Sequence, residues 1–497
     1  MARVFDLPDE DLHSFRERLR EVDYTVDGVR DLLGPVAHAA LHRNETTPGL
    51  RETRGHDPLS TLTRLWLLQA SVTYDDAQRA LGELVDKLRA AGILHKHGGQ
   101  VSALLDVRPY GTDEDDWWVA ADLTPGMDGA RPAVTPDHVL GVNSSATTLA
   151  QLTPRTKVER ALDLGTGCGV QALHLASHAA TVVGTDVNER ALAVARLNAR
   201  LAGIEVDVRD GSLFEPVDGE RFDLVVSNPP FVISPGGDLV YRDSGLAGDQ
   251  LCRQLVNQLP KYLNDHGVGQ VLANWLHVRG EDWTDRLTGW VARTGCDAWV
   301  VQREASDPAA YVELWLRDAG LYGTPEYQRR YDEWLGWFED QNVEAIGFGW
   351  LTLRRTNAKP VLRVEDWPHA IQQPLGSTVQ RWLENVDLLR GWDDKRLLGE
   401  RLTLRPEIDQ EQLGRPGAQD PEHLVLRQRG GMCRAIRVDT AEAGFVGACD
   451  GSLTVGQISD ALAELLWEDV DPLRHRLLGR ARELILDGFL DPVSSAG

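Results

Sequence analysis

The stretch "LDLGTGCG", Leu162–Gly169, decides how this chain is read. "ALDL" is a short apolar run interrupted by one acid, Asp163, and has the length of a buried strand. Gly165, Gly167 and Gly169 then alternate, and "GVQALHLASHA" continues as a helix. Glycine lets the backbone turn sharply and approach a ligand closely. A GxGxG turn alone is weak evidence. Between a strand and a helix, with an acid two residues ahead of it, it predicts a ligand-binding crossover at the edge of an α/β sheet.

Three further stretches extend that reading. "TVVGTD" is a second strand ending at Asp186, 21 positions after Gly165, where a carboxylate can accept both hydroxyls of a ribose. The GxGxG spacing, rather than GxGxxG, leans from NAD toward S-adenosylmethionine. "RDGSLFEP", Arg209–Pro216, follows the third strand, where an adenine ring would rest and Leu213 and Phe214 would pack on it. "DLVVSNPPFV", Asp223–Val232, begins as a core strand and is stopped by Asn228, Pro229 and Pro230. Proline cannot donate to a sheet ladder, so two of them belong at a strand's end. An Asn carboxamide and the carbonyl of the next residue are two acceptors that can hold a planar NH₂ group, and Phe231 gives a face on which a planar group can stack.

From Ala161 onward, strand and helix alternate, which predicts a parallel sheet with helices on both faces, closed by "AIGFGWLTLRR" near residue 355. Nine of the 15 tryptophans fall between Trp275 and Trp367, so some must pack against the sheet. "YQRRYDEWLGWFED", Tyr327–Asp340, reads as an aromatic helix inserted between two strands, a lid or, on balance, a packed excursion. To about residue 110 the chain reads as helical, with Gly92 as a C-cap and a hairpin turning at Gly98-Gly99. "DEDDWW", Asp113–Trp118, reads as a solvated turn anchored by two tryptophans, and Arg131–Lys157 as a linker or approach segment. The last segment, from about Asn385, reads as helix, helix and short strand. The expected domains are therefore 1–110 (helical, winged-helix-like), 111–360 (the α/β domain) and 385–497 (winged-helix-like).

The ordered set "LDLGTGCG…GTDVNERAL…GSLFEP…FDLVVSNPPF" resembles the class I S-adenosylmethionine-dependent N-methyltransferases of the NPPY/NPPF group, which include the release-factor glutamine methyltransferases and the exocyclic-amine methyltransferases of ribosomal RNA and DNA adenine. The resemblance covers roughly residues 135–355. It implies a Rossmann-like α/β class I methyltransferase sheet and S-adenosylmethionine as cofactor. It implies that Asp163, Gly165, Thr166, Gly167, Gly169, Asp186, Val187, Ser212, Leu213 and Asn228 line the cofactor, and that Asn228, Pro229, Pro230 and Phe231 serve catalysis. The family often reads "GDLFEP", so Ser212 stands where an Asp usually meets the adenine amino group, with Asp210 close by. The segment "CDGSLTVGQI…GFL", Cys449–Leu490, resembles the peptide-binding modules of ribosomal-peptide modification systems.

Composition bounds the partners. The formal net charge is −24, and affinity for long nucleic acids comes mostly from cationic contacts to phosphate, although a local basic face is compatible with that total. No run approaches a membrane span and the start lacks an apolar leader core, so no membrane partner and no secretion are expected. Five scattered cysteines without a CxxC pair fit a reducing cytoplasm. His174 and His178 lie four apart, but no third ligand accompanies them and no metal site is expected; "HKH", His95–His97, reads as a surface turn. The expected activity is methyl transfer to a planar nitrogen of a macromolecule. An exocyclic amine of an RNA base is favoured by Phe231 in place of Tyr and by the flanking domains. A protein or peptide amide or amine is the alternative, for which "YRDSGLAGDQLCRQLV", Tyr241–Val256, resembles the glutamine enzymes. A cofactor-binding scaffold without chemistry is the third reading.

Overall fold

The computed structural model describes residues 5–111, 116–125, 127, 135, 137–236, 246–416 and 421–493. Asp113–Asp115 of the acidic stretch, part of the 131–157 segment and Tyr241–Gly245 lie outside the described residues. The chain divides into two compact units, residues 1–150 with 156–367 and residues 151–155 with 368–497. The boundaries expected at 110/111 and 385 fall inside elements, the strand Asp106–Gly111 and the helix Gly376–Arg390.

The first unit is built on an eight-stranded sheet. Its strands are β1 (Val158–Leu164), β2 (Ala179–Asp186), β3 (Asp207–Asp210), β4 (Phe222–Ser227), β5 (Leu263–Val278), β6 (Cys296–Ser306), β7 (Val343–Arg355) and β8 (Leu362–Asp366). Their order is β8-β6-β7-β5-β4-β1-β2-β3. All neighbours are parallel except β7, which runs antiparallel between β5 and β6. Two features correct the expectation of a uniformly parallel sheet closed near 355. The chain returns from β6 through two helices without crossing the sheet, so β7 enters reversed. β8 then adds beyond β6. Chain order reverses between β1 and β4, the place where open α/β sheets bind ligands beyond their carboxyl ends.

The helices are α1 (Val170–Ala176), α2 (Glu189–Ala202), α3 (Gln250–Gln258), α4 (Trp283–Ala292), α5 (Pro308–Asp318) and α6 (Pro325–Asp340). Asn188 caps α2 by accepting from Arg190 N and Ala191 N, and Gly203 ends it at φ 74°. One core joins Leu162, Val225, Val271 and Leu351 of the sheet to Leu255, Val256, Leu287 and Val291 of α3 and α4. A second runs from Leu12, Phe15 and Trp66 of the N-terminal region to Leu173 of α1 and to Val194 and Leu197 of α2. The N-terminal region is therefore continuous in packing with the sheet's helices. Arg200 reinforces this by pairing with Asp9 at 2.7 Å.

The N-terminal region expected to be helical with a terminal hairpin is divided into short elements from residue 58 on. It becomes helix Pro58–Leu62, a π turn, strand Val72–Thr73, helices Tyr74–Leu81 and Leu84–Ala90, and the hairpin Leu94–His97/Gln100–Ala103. Gly98 (φ 55°) and Gly99 (φ 82°) make the hairpin's two-residue turn, which needs positive φ at both positions.

In the second unit, strands Asp450–Thr454, Arg401–Leu404 and Leu490–Pro492 form one sheet in that order. Strands Ile408–Leu413, His423–Gln428 and Ala435–Val438 form another. Helices Thr440–Gly447, Val455–Leu466 and Val470–Leu486 bury Phe445, Ile458, Leu477 and Ile485 in a common core. Among the described residues no helix is long and apolar enough to cross a membrane.

Candidate active site

The site grows from the carboxyl ends of β1, β2 and β4. Beyond β1, Gly165 (φ 74°), Gly167 (φ 55°) and Gly169 (φ 85°) all take the left-handed conformation that costs other residues about 1 kcal/mol or more. At Gly169 a side chain would also meet Ala195 of α2 at 3.2 Å, whereas Gly165 and Gly167 face open space. Gly165 N and Thr166 N both donate to Thr185 O, at 2.9 and 2.8 Å, which folds the loop back onto the end of β2.

Asp163 sits beneath this loop with 1% of its surface exposed. Its Oδ2 accepts from Thr166 Oγ1 at 2.6 Å and from Ala172 N at 3.1 Å, bracing the loop at both ends. Burial pushes its carboxyl up to about 7. A folded value of about 7 against an unfolded value near 4 means that the neutral acid stabilises the fold. That contribution is complete below about pH 4 and lost as pH rises through about 7, with an upper bound of about 4 kcal/mol. Asp163→Asn is neutral throughout. Its melting temperature is expected to gain on that of the parent protein between pH 5 and 8, measured without cofactor. A difference that stays flat across that range contradicts the assignment.

Asp186 ends β2. Its Oδ2 accepts from Gly167 N and its Oδ1 from Asn188 N, both at 2.9 Å, so the carboxylate is held in place from the loop and from the start of α2. Burial raises its pKa, and the neighbouring Asp210 adds to the effect. Val187 beside it is 55% exposed, an apolar side chain at the surface among the described residues. The β3 motif reaches the same place: Asp210 is in register with Asp186, and Gly211 N donates to Asp186 O at 3.0 Å. Ser212 is exposed and Leu213 is half-buried at φ 48°. Phe214, expected on the adenine, turns instead into the core and stacks on Tyr262 at 4.2 Å.

The β4 motif closes the site. Ser227 is in register with Leu164, and its hydroxyl donates to Leu164 O at 2.8 Å. Asn228 and Gly165 are thus the next residues on two adjacent strands. Asn228 is half-buried, and among the described residues its carboxamide has no hydrogen-bond partner. Pro229 is buried, and Pro230 and Phe231 are half-buried. The Phe231 ring lies 5.4 Å from Phe348 of β7, tilted by 49°. A planar group lodged between two parallel rings needs about 7 Å, twice the roughly 3.4 Å stacking step. The pair therefore forms a single aromatic wall rather than a slot.

The structure brings the site residues of all four stretches together and adds others. Residues 137–146 approach the same strand ends. Asn188 Nδ2 donates to Asp137 O, Val139 N to Asp122 Oδ2, and Gln171 Nε2 to Ala146 O near the start of the helix Ser144–Leu152. Arg190 holds Asp122 through Nε at 2.9 Å. No spacing in the sequence announces these links; the Pro/Ser/Thr-rich run 131–157 was read only as a linker or approach segment. His174 is buried, with Nε2 2.8 Å from Tyr110 Oη.

Comparison with known proteins bears on this arrangement. Residues 141–275, which hold all four stretches, match the family model "Methyltransferase small domain". Residues 21–104 match "Domain of unknown function (DUF7059)". The chain is 37% identical over 158 residues to a release factor glutamine methyltransferase of Geobacter sulfurreducens, covering 28% of this chain and 52% of that protein. It is 30% identical over 192 residues to ribosomal RNA small subunit methyltransferase C of Salmonella newport, covering 38% of this chain and 50% of that protein. The chain thus spans about half the length of these curated relatives. A solved 16S rRNA N2 G1207 methyltransferase of T. thermophilus, in complex with AdoMet and guanosine, aligns at 17% identity and a TM-score of 0.27, over 44% of this chain and 58% of that one. The fold of this α/β domain is defined by its own strand order rather than by that likeness.

Proposed function

We propose that the chain is an S-adenosylmethionine-dependent N-methyltransferase acting on a planar amino nitrogen of a macromolecule. The observation that carries this is the Asn228 carboxamide. It is half-buried and unpartnered among the described residues, and it stands one residue beyond the Ser227–Leu164 hydrogen bond that joins its strand to the glycine loop. The cofactor fits the residues present. Asp186 is a fixed carboxylate for two ribose hydroxyls, Val187 an exposed apolar side chain for a base, and Gly165 and Gly167 leave open space at the loop. When bound, S-adenosylmethionine supplies an electrophilic methyl group on a positively charged sulfur.

The chain's own residues then supply orientation. Asn228 Oδ1 and the Pro229 carbonyl accept the two N–H bonds of the acceptor amine. This turns the nitrogen lone pair toward the cofactor side and stabilises positive charge as it develops on nitrogen. Phe231, backed by Phe348, supports the acceptor plane from one side. No strong side-chain base is needed, because the proton is lost from a nitrogen that has become a cation.

Two acceptors are in play. An RNA base amine is supported by the aromatic wall and by the N-terminal element order. We read helix, strand, helix, helix, strand, strand over residues 58–103 as a winged-helix arrangement, and the three-helix set of residues 440–492 as a second one. A protein glutamine amide is supported by the net charge of −24 and by the glutamine methyltransferases among the relatives. Tritiated-methyl transfer into a matched extract, split between RNase and protease, decides the acceptor. Label lost only to RNase fits the base, label lost only to protease fits the amide, and no incorporation above the Asn228→Ala control removes the enzymatic reading.

A further inference from the structure

Among the described residues the Asn228 side chain has no hydrogen bond to hold it. The two residues after it, Pro229 and Pro230, carry no N–H, so the backbone leaving β4 cannot be tied down by its own donors there. The peptide gripped on both sides comes three residues later. Ile233 N donates to Tyr311 Oη at 2.9 Å, and Trp334 Nε1 donates to Ile233 O at 2.9 Å. Tyr311 lies on α5 and Trp334 on α6, the two helices between β6 and β7. The Tyr311 hydroxyl also accepts from Asn274 Nδ2 at 2.8 Å. Asn274 is a buried residue of β5, three positions beyond Val271, the register partner of Ser227. Ile233 itself is 1% exposed, in a cluster with Leu276, Tyr311, Leu316, Phe338 and Ile346.

We infer that Tyr311 and Trp334 are positioning residues for Asn228: by holding the Ile233 peptide at its N–H and its carbonyl, they fix the short path from the end of β4 on which the acceptor-binding amide depends. The inference rests on the methyl-transfer reading. It assigns α6, with its run of aromatic residues, a task that filling space would not require, because Trp334 reaches the loop through a directed hydrogen bond as well as through packing. Removing the Tyr311 hydroxyl leaves two buried donors, Ile233 N–H and the Asn274 amide, without the acceptor they share. The loop then gains freedom at its far end while the glycine loop and Asp186, on β1 and β2, keep their own hydrogen bonds.

Two cofactor analogues separate positioning from plain stability in the full chain. S-adenosylhomocysteine reports on the glycine loop and Asp186 alone. Sinefungin carries an amine-bearing carbon in place of the methyl-bearing sulfur, so its ammonium adds N–H donors where Asn228 and the Pro229 carbonyl would receive them. Calorimetric titration of both gives an affinity ratio. Tyr311→Phe and Trp334→Phe are each expected to lower the sinefungin preference about tenfold, toward the value of Asn228→Ala, with S-adenosylhomocysteine affinity held within about twofold. Tyr327→Phe, on α6 with its ring against Tyr322 and Tyr331, removes a hydroxyl that makes no hydrogen bond to Ile233 and is expected to leave the ratio unchanged. Should Tyr311→Phe not fold, Trp334→Phe carries the test, since its ring is only half-buried. A parental ratio in a folded Trp334→Phe overturns the inference. A ratio that Asn228→Ala itself does not move, or a parent protein that binds neither analogue, overturns the underlying reading instead.

Discussion

Asn228→Ala is expected to lower methyl transfer by about 10²–10³-fold while leaving S-adenosylhomocysteine affinity within about twofold. The size follows from what the carboxamide would do. It is one of two acceptors aimed at the amine, and its contribution grows as the nitrogen becomes positive. Loss of a single preorganised group of this kind costs roughly 3–4 kcal/mol in the transition state. The split between transfer and binding follows from the geometry. The glycine loop is held by Thr185 O and by Asp163, and Asp186 by Gly167 N and Asn188 N, none of which involves Asn228. Initial rates with labelled cofactor, set beside calorimetric binding, check both halves. Unchanged turnover would remove Asn228 from the chemistry. A parallel loss of binding would make it a structural residue.

The second large effect belongs to Asp186→Ala, for which S-adenosylhomocysteine affinity is expected to fall about 100-fold or more. Two hydroxyl donors on one carboxylate are charge-assisted bonds, each contributing about 1.5–3 kcal/mol. Burial raises the Asp186 pKa, so its charged form gains from any further hydroxyl donors that a ligand brings. The substitution also removes the acceptor of Gly167 N and Asn188 N, so some loss of melting temperature is expected beside the lost affinity. Calorimetry together with thermal unfolding checks this. Affinity within threefold of the parent protein would place the ribose elsewhere.

The parts of this site that were legible in the sequence are those that need unusual residues in order. Three glycines in left-handed conformations, an acid ending each of two strands and a proline pair at a strand's end leave a mark because few other residues satisfy those backbones. The glycine loop, Asp186 and Asn228 were singled out this way, and the structure places them at neighbouring strand ends of one sheet. The reversed β7 and the added β8 left no such mark, since a strand's apolar run does not encode its direction. Phe214 shows the same limit: its place in "GSLF" suggested the ligand, but the positive φ at Leu213 precedes a turn that sends the ring toward Tyr262. Ile233 and Tyr311 stand 78 residues apart, and an ordinary isoleucine peptide meeting an ordinary tyrosine has no spacing to betray it.

The most direct measurement for the central claim is calorimetric titration of the full chain with S-adenosylmethionine. The account predicts one saturable site in the micromolar range, weakened about 100-fold or more by Asp186→Ala and left intact by Asn228→Ala. No binding at millimolar ligand, or binding indifferent to Asp186, would contradict it.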